Sequence, residues 1–339
     1  MNLTIQKIAD ELGVSKTTVH RALSGTGRIS ESTKQQVLEL ARKFDYTPNS
    51  VAQSLRSKKT KTIGLILRGM MVGHYYSEIL AGIEEIAVKS DYMIIIACSG
   101  DSKQTECNII RNFCRRRIDG IIIAPVENSD PQNYLLLRQN GIPFVFIDKY
   151  VKGIDADIVT ADSKTGVKKA VEYMLSHGRQ RIAFLNGYEQ HSVTIQERIA
   201  GYTEQLASYN NPYQMIIESK LFGKEDTLCG YTAMRHTLQR LAPSEYMDGL
   251  ICVNDSLAFG ALKAIREFGL VVPQDIAIIG NNNDQMTEYV FPQLTTISQP
   301  KSEMGRTAMS LLLKRIEVDN SDEYGFYSFP VSLLIRDST

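Results

Sequence analysis

No stretch of this 339-residue chain approaches the roughly 18 consecutive apolar residues that a membrane span needs, although 43 % of its residues are hydrophobic. A membrane is therefore not expected among its partners, and the apolar content can fill a core large enough for more than one domain. Met1 is followed at once by a polar, helix-forming stretch, so no export signal is expected and the cytoplasm is the predicted compartment. The five cysteines (Cys98, Cys107, Cys114, Cys229 and Cys252) show neither CxxC pairing nor metal-ligand spacing, which suits reduced thiols and predicts neither a metal nor a disulfide framework. Catalytic signatures are missing too. There is no GxGxxG opening a helix, no GxxxxGKS/T, no GxSxG and no HExxH, and the five histidines are scattered, so neither a cofactor nor an enzymatic activity is predicted.

Net charge is also absent, but its zero conceals an asymmetry. Residues 1 to 61 hold eleven Lys or Arg against five Asp or Glu, a local charge of +6 that the rest of the chain balances with −6. A basic block on a small N-terminal unit is an electrostatic footprint for nucleic acid, although basic stretches are more often plain solvated faces. The pattern of the same residues is more specific. Ile5, Ile8, Ala9 and Leu12 fall at i, i+3, i+4 and i+7, one stripe of a helix that Thr4 can cap and Gly13 ends. Ser15 is placed to cap a second helix, with Val19, Ala22 and Leu23 inward and Lys16, Thr17, His20 and Arg21 on the opposite side. A third helix, capped by Ser30 and running from about Glu31 to Phe44, closes a small core with Val37, Leu38, Ala41 and Phe44. Two short helices around a glycine turn read as a helix-turn-helix, whose second helix enters the major groove. Ser15, Lys16, Thr17, His20 and Arg21 are the predicted contacts to DNA; the competing reading is a small helical domain that docks on protein.

Pro48 and Asn49 stop this unit and open a stretch of barely two turns, Ser50 to Ser57, too short to be a stable helix alone. A bland linker would not need Val51, Ala52 and Leu55 on one face beside Arg56, Lys58, Lys59 and Lys61; apolar wedges flanked by cations suit the minor groove. Asn49, Leu55 and Arg56 therefore join the predicted DNA contacts.

The run TIQKIADELGVSKTTVHRALSG, the RIS segment and YTPNSVAQSLRSKKTKTIGLIL together resemble the N-terminal signature of the LacI/GalR family of bacterial transcription regulators. The resemblance implies a homodimer on a palindromic operator, with paired hinge helices inserting Leu55 into the minor groove. It also implies a helix-turn-helix domain over 1–47, a hinge over 48–60, and a body over 61–339 that responds to a small-molecule effector.

In that body, strand-like apolar runs at 62–67, 92–97, 120–124 and 144–147 alternate with helical stretches at 75–89, 105–116 and 133–140. A second series repeats the scheme from 163 to 279, so the predicted fold class is an all-α head plus an α/β body of two doubly wound parallel-sheet lobes. The first lobe is expected over about 61–161 and 291–320 and the second over about 162–290 and 321–339, with chain crossings near 161, 290 and 320, as the family resemblance implies. Ligands of such sheets sit beyond the carboxyl ends of the strands, which makes the cleft between lobes the natural site.

GIPFVFIDK, the ERIAGY segment, VNDSLAFGALKAIREFGLVVPQDIAIIG and TTISQPKSEMGRTAMSLLL resemble further blocks of the family and of periplasmic sugar receptors. Carried over, the resemblance puts Tyr75, Tyr76, Asp148, Thr194, Arg198, Asn254 and Asn282 around a sugar or sugar derivative. The chemistry suits that reading: aromatic faces cover the apolar face of a sugar ring, Arg198 offers a planar donor fork, and Asp148 accepts hydroxyl protons. For Asp148 and Asn254 the alternative is local capping, and for the tyrosines it is lobe packing. One departure stands out. Relatives usually carry an aromatic residue and then an acid after the strand-ending glycine, whereas Gly280 precedes Asn281, Asn282 and Asn283. An amide both donates and accepts, so a sugar acid or a purine stays open as effector. Phe222 can supply a stacking wall, but its spacing to Gly230 departs from the family pattern and it stays outside the predicted set. A solute receptor for transport and a sugar-processing enzyme are the rival classes; the basic head opposes the first and the missing catalytic constellation the second.

Overall fold

The computed structural model describes residues 5–24, 27–43, 59–68, 75–187, 192–219, 221, 225–317 and 323–339. Thr4, Phe44, Asn49, Leu55, Arg56 and Phe222, together with the two-turn helix expected at 50–57, lie outside the described residues. The chain divides into two compact units, Met1–Thr60 and Lys61–Thr339.

In the first unit, α1 (Ile5–Leu12), α2 (Lys16–Ser24) and α3 (Glu31–Lys43) enclose Ile8, Ala9, Val19, Ala22, Val37 and Ala41. Leu40, rather than the expected Leu38, packs against this core, because position 40 falls one turn on from Val37. Gly13 takes φ +63°, and the backbone NH of Val14 reaches back 3.0 Å to the Ala9 carbonyl, so the chain turns within two residues. The Thr18 amide donates to Ser15 Oγ at 3.1 Å, and the Thr33 amide to Ser30 Oγ at 3.2 Å. The caps predicted at Ser15 and Ser30 are made.

The second unit contains two six-stranded sheets. The first has the order β2 (Met93–Cys98), β1 (Thr62–Leu67), β3 (Gly120–Ile123), β4 (Phe144–Ile147), β5 (Asp157–Ala161) and β11 (Phe326–Phe329), all parallel. The second has the order β7 (Met215–Glu218), β6 (Ile182–Asn186), β8 (Gly249–Cys252), β9 (Ala277–Asn281), β10 (Thr295–Ser298) and β12 (Ser332–Leu334), parallel except for the β10–β12 pair. Central strands such as β3, β6 and β9 are buried at every position, which is why they read as unbroken apolar runs. Helices cover both faces: α4 (Tyr75–Lys89) with α11 (Lys301–Glu317), and α5 (Lys103–Arg116) with α6 (Pro131–Gln139), on the first sheet; α7 (Ser163–Ser176) with α8 (Val193–Ser208), and α9 (Asp226–Arg240) with α10 (Asp255–Glu267), on the second.

The strand pairing moves two of the expected crossings. β10 at 295–298 belongs to the second sheet and β11 at 326–329 to the first, so the chain passes between lobes at 162, at 299–300 and at 330 rather than near 290 and 320. Apolar periodicity could not locate them: β10 is Thr-Thr-Ile-Ser and β11 is an exposed edge strand.

Two helix pairs are drawn together by glycine near the ends that face the cleft. A methyl on Gly82 would lie 2.0 Å from the Ser302 carbonyl and one on Gly305 2.1 Å from the Ile79 carbonyl, so α4 and α11 touch backbone to backbone. Gly230 and Gly260 join α9 to α10 in the same way, at 2.1 Å from the Leu257 carbonyl and 2.0 Å from the Thr227 carbonyl. These contacts fix the helix starts that carry Tyr75, Lys301, Asp226 and Asp255.

Candidate functional site

A cleft of about 750 Å³, counting its open mouth, lies between the carboxyl ends of the two sheets. Its walls include all seven residues expected around an effector, contributed by both lobes: Tyr75, Tyr76 and Asp148 from the first, Thr194, Arg198, Asn254 and Asn282 from the second. The sequence reading missed Arg68, Lys149, Asp226, Asp255 and Asp284, which share the walls. Each of these follows a strand or opens a helix, so the strand-end rule that located the cleft also pointed to them.

On the first-lobe wall, Tyr75 and Tyr76 open α4 with their rings edge to face, centroids 5.2 Å apart. Tyr75 Oη lies 2.8 Å from Asp148 Oδ1 and 3.0 Å from the Gln299 side chain, and Tyr76 Oη donates to Asp148 Oδ2 at 2.9 Å. The tyrosines therefore do more than pack the lobe: they hold both carboxylate oxygens of Asp148. Burial, followed by the nearby Asp148 charge, pushes the Tyr75 hydroxyl well above the ordinary tyrosine range, so it stays protonated as a donor. Asp148 takes φ +65°, and its oxygens face the tyrosines instead of capping the loop behind it.

On the second-lobe wall, Arg198 is 7 % exposed; its Nη1 donates to the Val253 carbonyl at 2.6 Å and its Nε to Ser163 Oγ at 3.3 Å. This fixes the guanidinium plane against the end of β8. Thr194, also buried, has its hydroxyl 3.2 Å from Ser192 Oγ. Asn254 does cap α10, accepting from the Leu257 amide at 2.8 Å, and its NH₂ donates to Asp226 Oδ2 at 2.8 Å. Capping and cleft position thus coexist in one side chain. Asn282, at φ +114°, follows β9 and contacts Gln299 at 2.8 Å. Two non-glycine residues in left-handed backbone on facing walls store strain of about 1–3 kcal/mol each, a cost that recurs at binding sites.

Behind that wall Asp255 is almost fully buried, accepting from the Asp284 amide at 2.7 Å and from Thr296 Oγ1 at 2.6 Å. Burial outweighs those bonds and lifts its carboxyl to about 6. At the lobe crossing, the buried Lys301 ammonium pairs with Glu78 at 2.6 Å in the first lobe and donates to the Asn283 carbonyl at 3.2 Å in the second.

The predicted DNA-contact residues of the first unit are distributed less uniformly than expected. Ser15, Lys16, Thr17 and Arg21 are exposed. His20 is not fully outward: it is half-buried, and its Nδ1 is buried without a hydrogen-bond partner. It follows the buried Val19 in sequence and so borders the inward face of α2. No cluster of His, Cys, Asp and Glu suited to a metal, and no helix long and apolar enough to cross a membrane, occurs among the described residues.

A helix-turn-helix unit joined in one chain to a two-lobed α/β receptor with a polar interlobe cleft defines a ligand-responsive DNA-binding regulator. The comparisons agree. Residues 4–49 match the model of bacterial regulatory proteins of the lacI family, and residues 171–339 match a periplasmic binding protein-like domain. The HTH-type transcriptional repressor PurR of Vibrio campbellii is 30 % identical over 335 residues, 99 % of this chain and 98 % of the relative. The ribose operon repressor of Haemophilus influenzae is 30 % identical over 323 residues, 94 % of this chain and 93 % of the relative. Among solved structures, the lac repressor dimer bound to operator and the anti-inducer ONPF superposes with a TM-score of 0.86 at 25 % identity, covering 100 % of this chain and 99 % of that one. A LacI family regulator from Enterococcus faecium with bound ribose gives 0.72 at 29 % identity, over 82 % of this chain and 98 % of that one. The chain belongs to the LacI family of bacterial transcription regulators. It is a ligand-responsive DNA-binding repressor with a helix-turn-helix head and a periplasmic-binding-protein-like body.

Proposed function

We propose that this repressor binds a palindromic operator as a homodimer in the cytoplasm and releases or gains it when a sugar or sugar derivative occupies the interlobe cleft. Tyr75, Tyr76, Asp148, Thr194, Arg198, Asn254 and Asn282 hold the effector, and Ser15, Lys16, Thr17, His20 and Arg21 contact DNA, joined by Asn49, Leu55 and Arg56. The observation that carries the reading is the convergence of those seven side chains from both lobes on one polar cleft. An occupant that touches both walls favours one relative placement of the lobes over another, and only such differential affinity can shift the regulator between states. The coupling is reciprocal: an effector that weakens operator binding itself binds the operator complex less tightly by the same factor.

A purine is the second reading, favoured by the names of the PurR relatives. A thermal-shift panel of pentoses, hexoses, disaccharides, sugar acids, sugar phosphates and purine bases separates the two, since a true effector raises the melting temperature by mass action. Stabilisation confined to purines overturns the sugar assignment; no stabilisation by any polar metabolite, in a protein that binds operator, overturns the cleft assignment.

A further inference from the structure

Proton counting at Tyr75 decides which way a row of amides points, and through it what the cleft can recognise. Tyr75 Oη lies within hydrogen-bond distance of two oxygens, Asp148 Oδ1 at 2.8 Å and Gln299 Oε1 at 3.0 Å. A hydroxyl has one proton. If it goes to Gln299, a carboxylate oxygen faces a bare hydroxyl lone pair at 2.8 Å; if it goes to Asp148, two oxygens face each other at 3.0 Å with no proton between them. A charge-assisted bond is about twice as strong as a neutral one, so the proton goes to Asp148. The two ends of a carboxamide have the same shape, and only the hydrogen bonds determine which is nitrogen. Gln299 must therefore turn its NH₂ toward Tyr75 Oη. Its oxygen then faces Asn281 and Asn282, at 3.1 and 2.8 Å, and both must turn their own NH₂ groups inward to meet it.

We infer that a hydrogen-bond relay, Asn282 to Gln299 to Tyr75 to Asp148, turns the carbonyl oxygen of cleft-lining Asn282 away from Gln299 and makes that position an obligate acceptor. Asn282 is the specificity-determining residue; Gln299 and Tyr75 are positioning residues that act through it. The inference rests on the reading of the cleft as the effector site. It adds the chemistry of the group that meets Asn282: a donor, such as a sugar hydroxyl or a protonated ring nitrogen, and not a carboxylate or phosphate oxygen. The amide in place of an acid at this position keeps the polarity of the acid without its charge. The relay also runs from the second lobe through the crossing segment at 299–300 into the first, so the same bonds that orient Asn282 link the two walls.

Neutron diffraction from crystals of the perdeuterated, ligand-free full chain locates the deuterons directly. The expected map has the Tyr75 deuteron on the line to Asp148, the Gln299 ND₂ toward Tyr75, and the Asn282 ND₂ toward Gln299. A Tyr75 deuteron directed at Gln299, a deuteron on Asp148, or an Asn282 ND₂ facing the cleft overturns the relay. That outcome is independent of any effector, so failure of the relay and failure of the effector-site reading are distinguishable. In solution, the Asn282 side-chain NH₂, held against Gln299, should exchange with water roughly fivefold more slowly than exposed asparagine amides, the factor one net hydrogen bond supplies. Tyr75→Phe removes the constraint on Gln299 and should bring Asn282 exchange up to the exposed rate while the backbone amide spectrum of the second lobe is preserved. Equal exchange in the wild type and in Tyr75→Phe overturns the positioning role of Tyr75.

Discussion

Asp255→Asn should change how stability depends on pH, in a direction fixed by burial. The Asp255 carboxyl is 1 % exposed and titrates at about 6 in the folded chain, against 3.8 for the free group. A raised acid binds its proton more tightly when folded, so its favourable contribution is complete below the unfolded value and is lost as pH rises through the folded one. The lost contribution spans pH 4 to 6 and amounts to about 3 kcal/mol, from a shift near two units at roughly 1.4 kcal/mol each. Asparagine cannot ionise and removes that loss, but its NH₂ must replace one of the two acceptor oxygens that meet the Asp284 amide and Thr296 Oγ1. A donor set against a buried donor costs about 1–3 kcal/mol at every pH. The variant should therefore be clearly less stable than the wild type at pH 4 and close to it at pH 7, as read by urea denaturation of each protein at four pH values between. Taking the difference between the two proteins cancels other titrating groups, including Glu106 and Glu197, whose carboxyls burial also raises. Parallel stability curves for wild type and variant across this range would refute the assignment of the ionisation cost to Asp255.

Three further outcomes are expected. Ser15→Ala removes the Thr18 amide's acceptor at 3.1 Å and should cost the head about 1 kcal/mol, seen as a lower melting temperature by circular dichroism; an unchanged midpoint contradicts the capping role. Gly260→Ala places a methyl 2.0 Å from the Thr227 carbonyl and 2.5 Å from the Tyr231 nitrogen, and overpacking of this kind should cost about 1–3 kcal/mol of body stability in chemical denaturation; a neutral effect shows that α9 and α10 are free to separate. Arg21→Ala should cost roughly 1–3 kcal/mol of operator affinity and relax sequence choice if the side chain reads a base edge, and identical preference across a randomised operator library excludes that role.

The fold was legible because its signals are local and repeated: 3.6-residue apolar stripes for the helices, and short unbroken runs such as Gly-Ile-Ile-Ile at β3 for strands buried on both faces. The cleft residues were named by the family resemblance, and the convergence of parallel strand ends supports them: Asp148 follows β4 and Asn254 follows β8 on facing walls. Long-range pairing was not legible. Nothing local to Thr295–Ser298 or Phe326–Phe329 says which sheet each strand joins, and both crossings were misplaced for that reason. His20 is half-buried rather than fully outward because it adjoins Val19 at the edge of the inward face, which helix periodicity alone does not resolve. Gln299 went unnoticed although it follows a strand; its importance lies in contacts with Tyr75 and Asn282, 224 and 17 residues away.

Metabolite control of DNA affinity through the interlobe cleft is tested most directly by fluorescence anisotropy with an operator selected from genomic fragments, titrated with and without a compound that raises the melting temperature, for wild type and Arg198→Ala. The wild type should bind in a salt-sensitive manner with an affinity that the compound changes at least about fivefold, the lower end of ordinary allosteric coupling, and the variant should bind the same DNA without responding. A wild-type affinity indifferent to every compound that binds, or an Arg198→Ala protein that responds at the same concentration, contradicts the account.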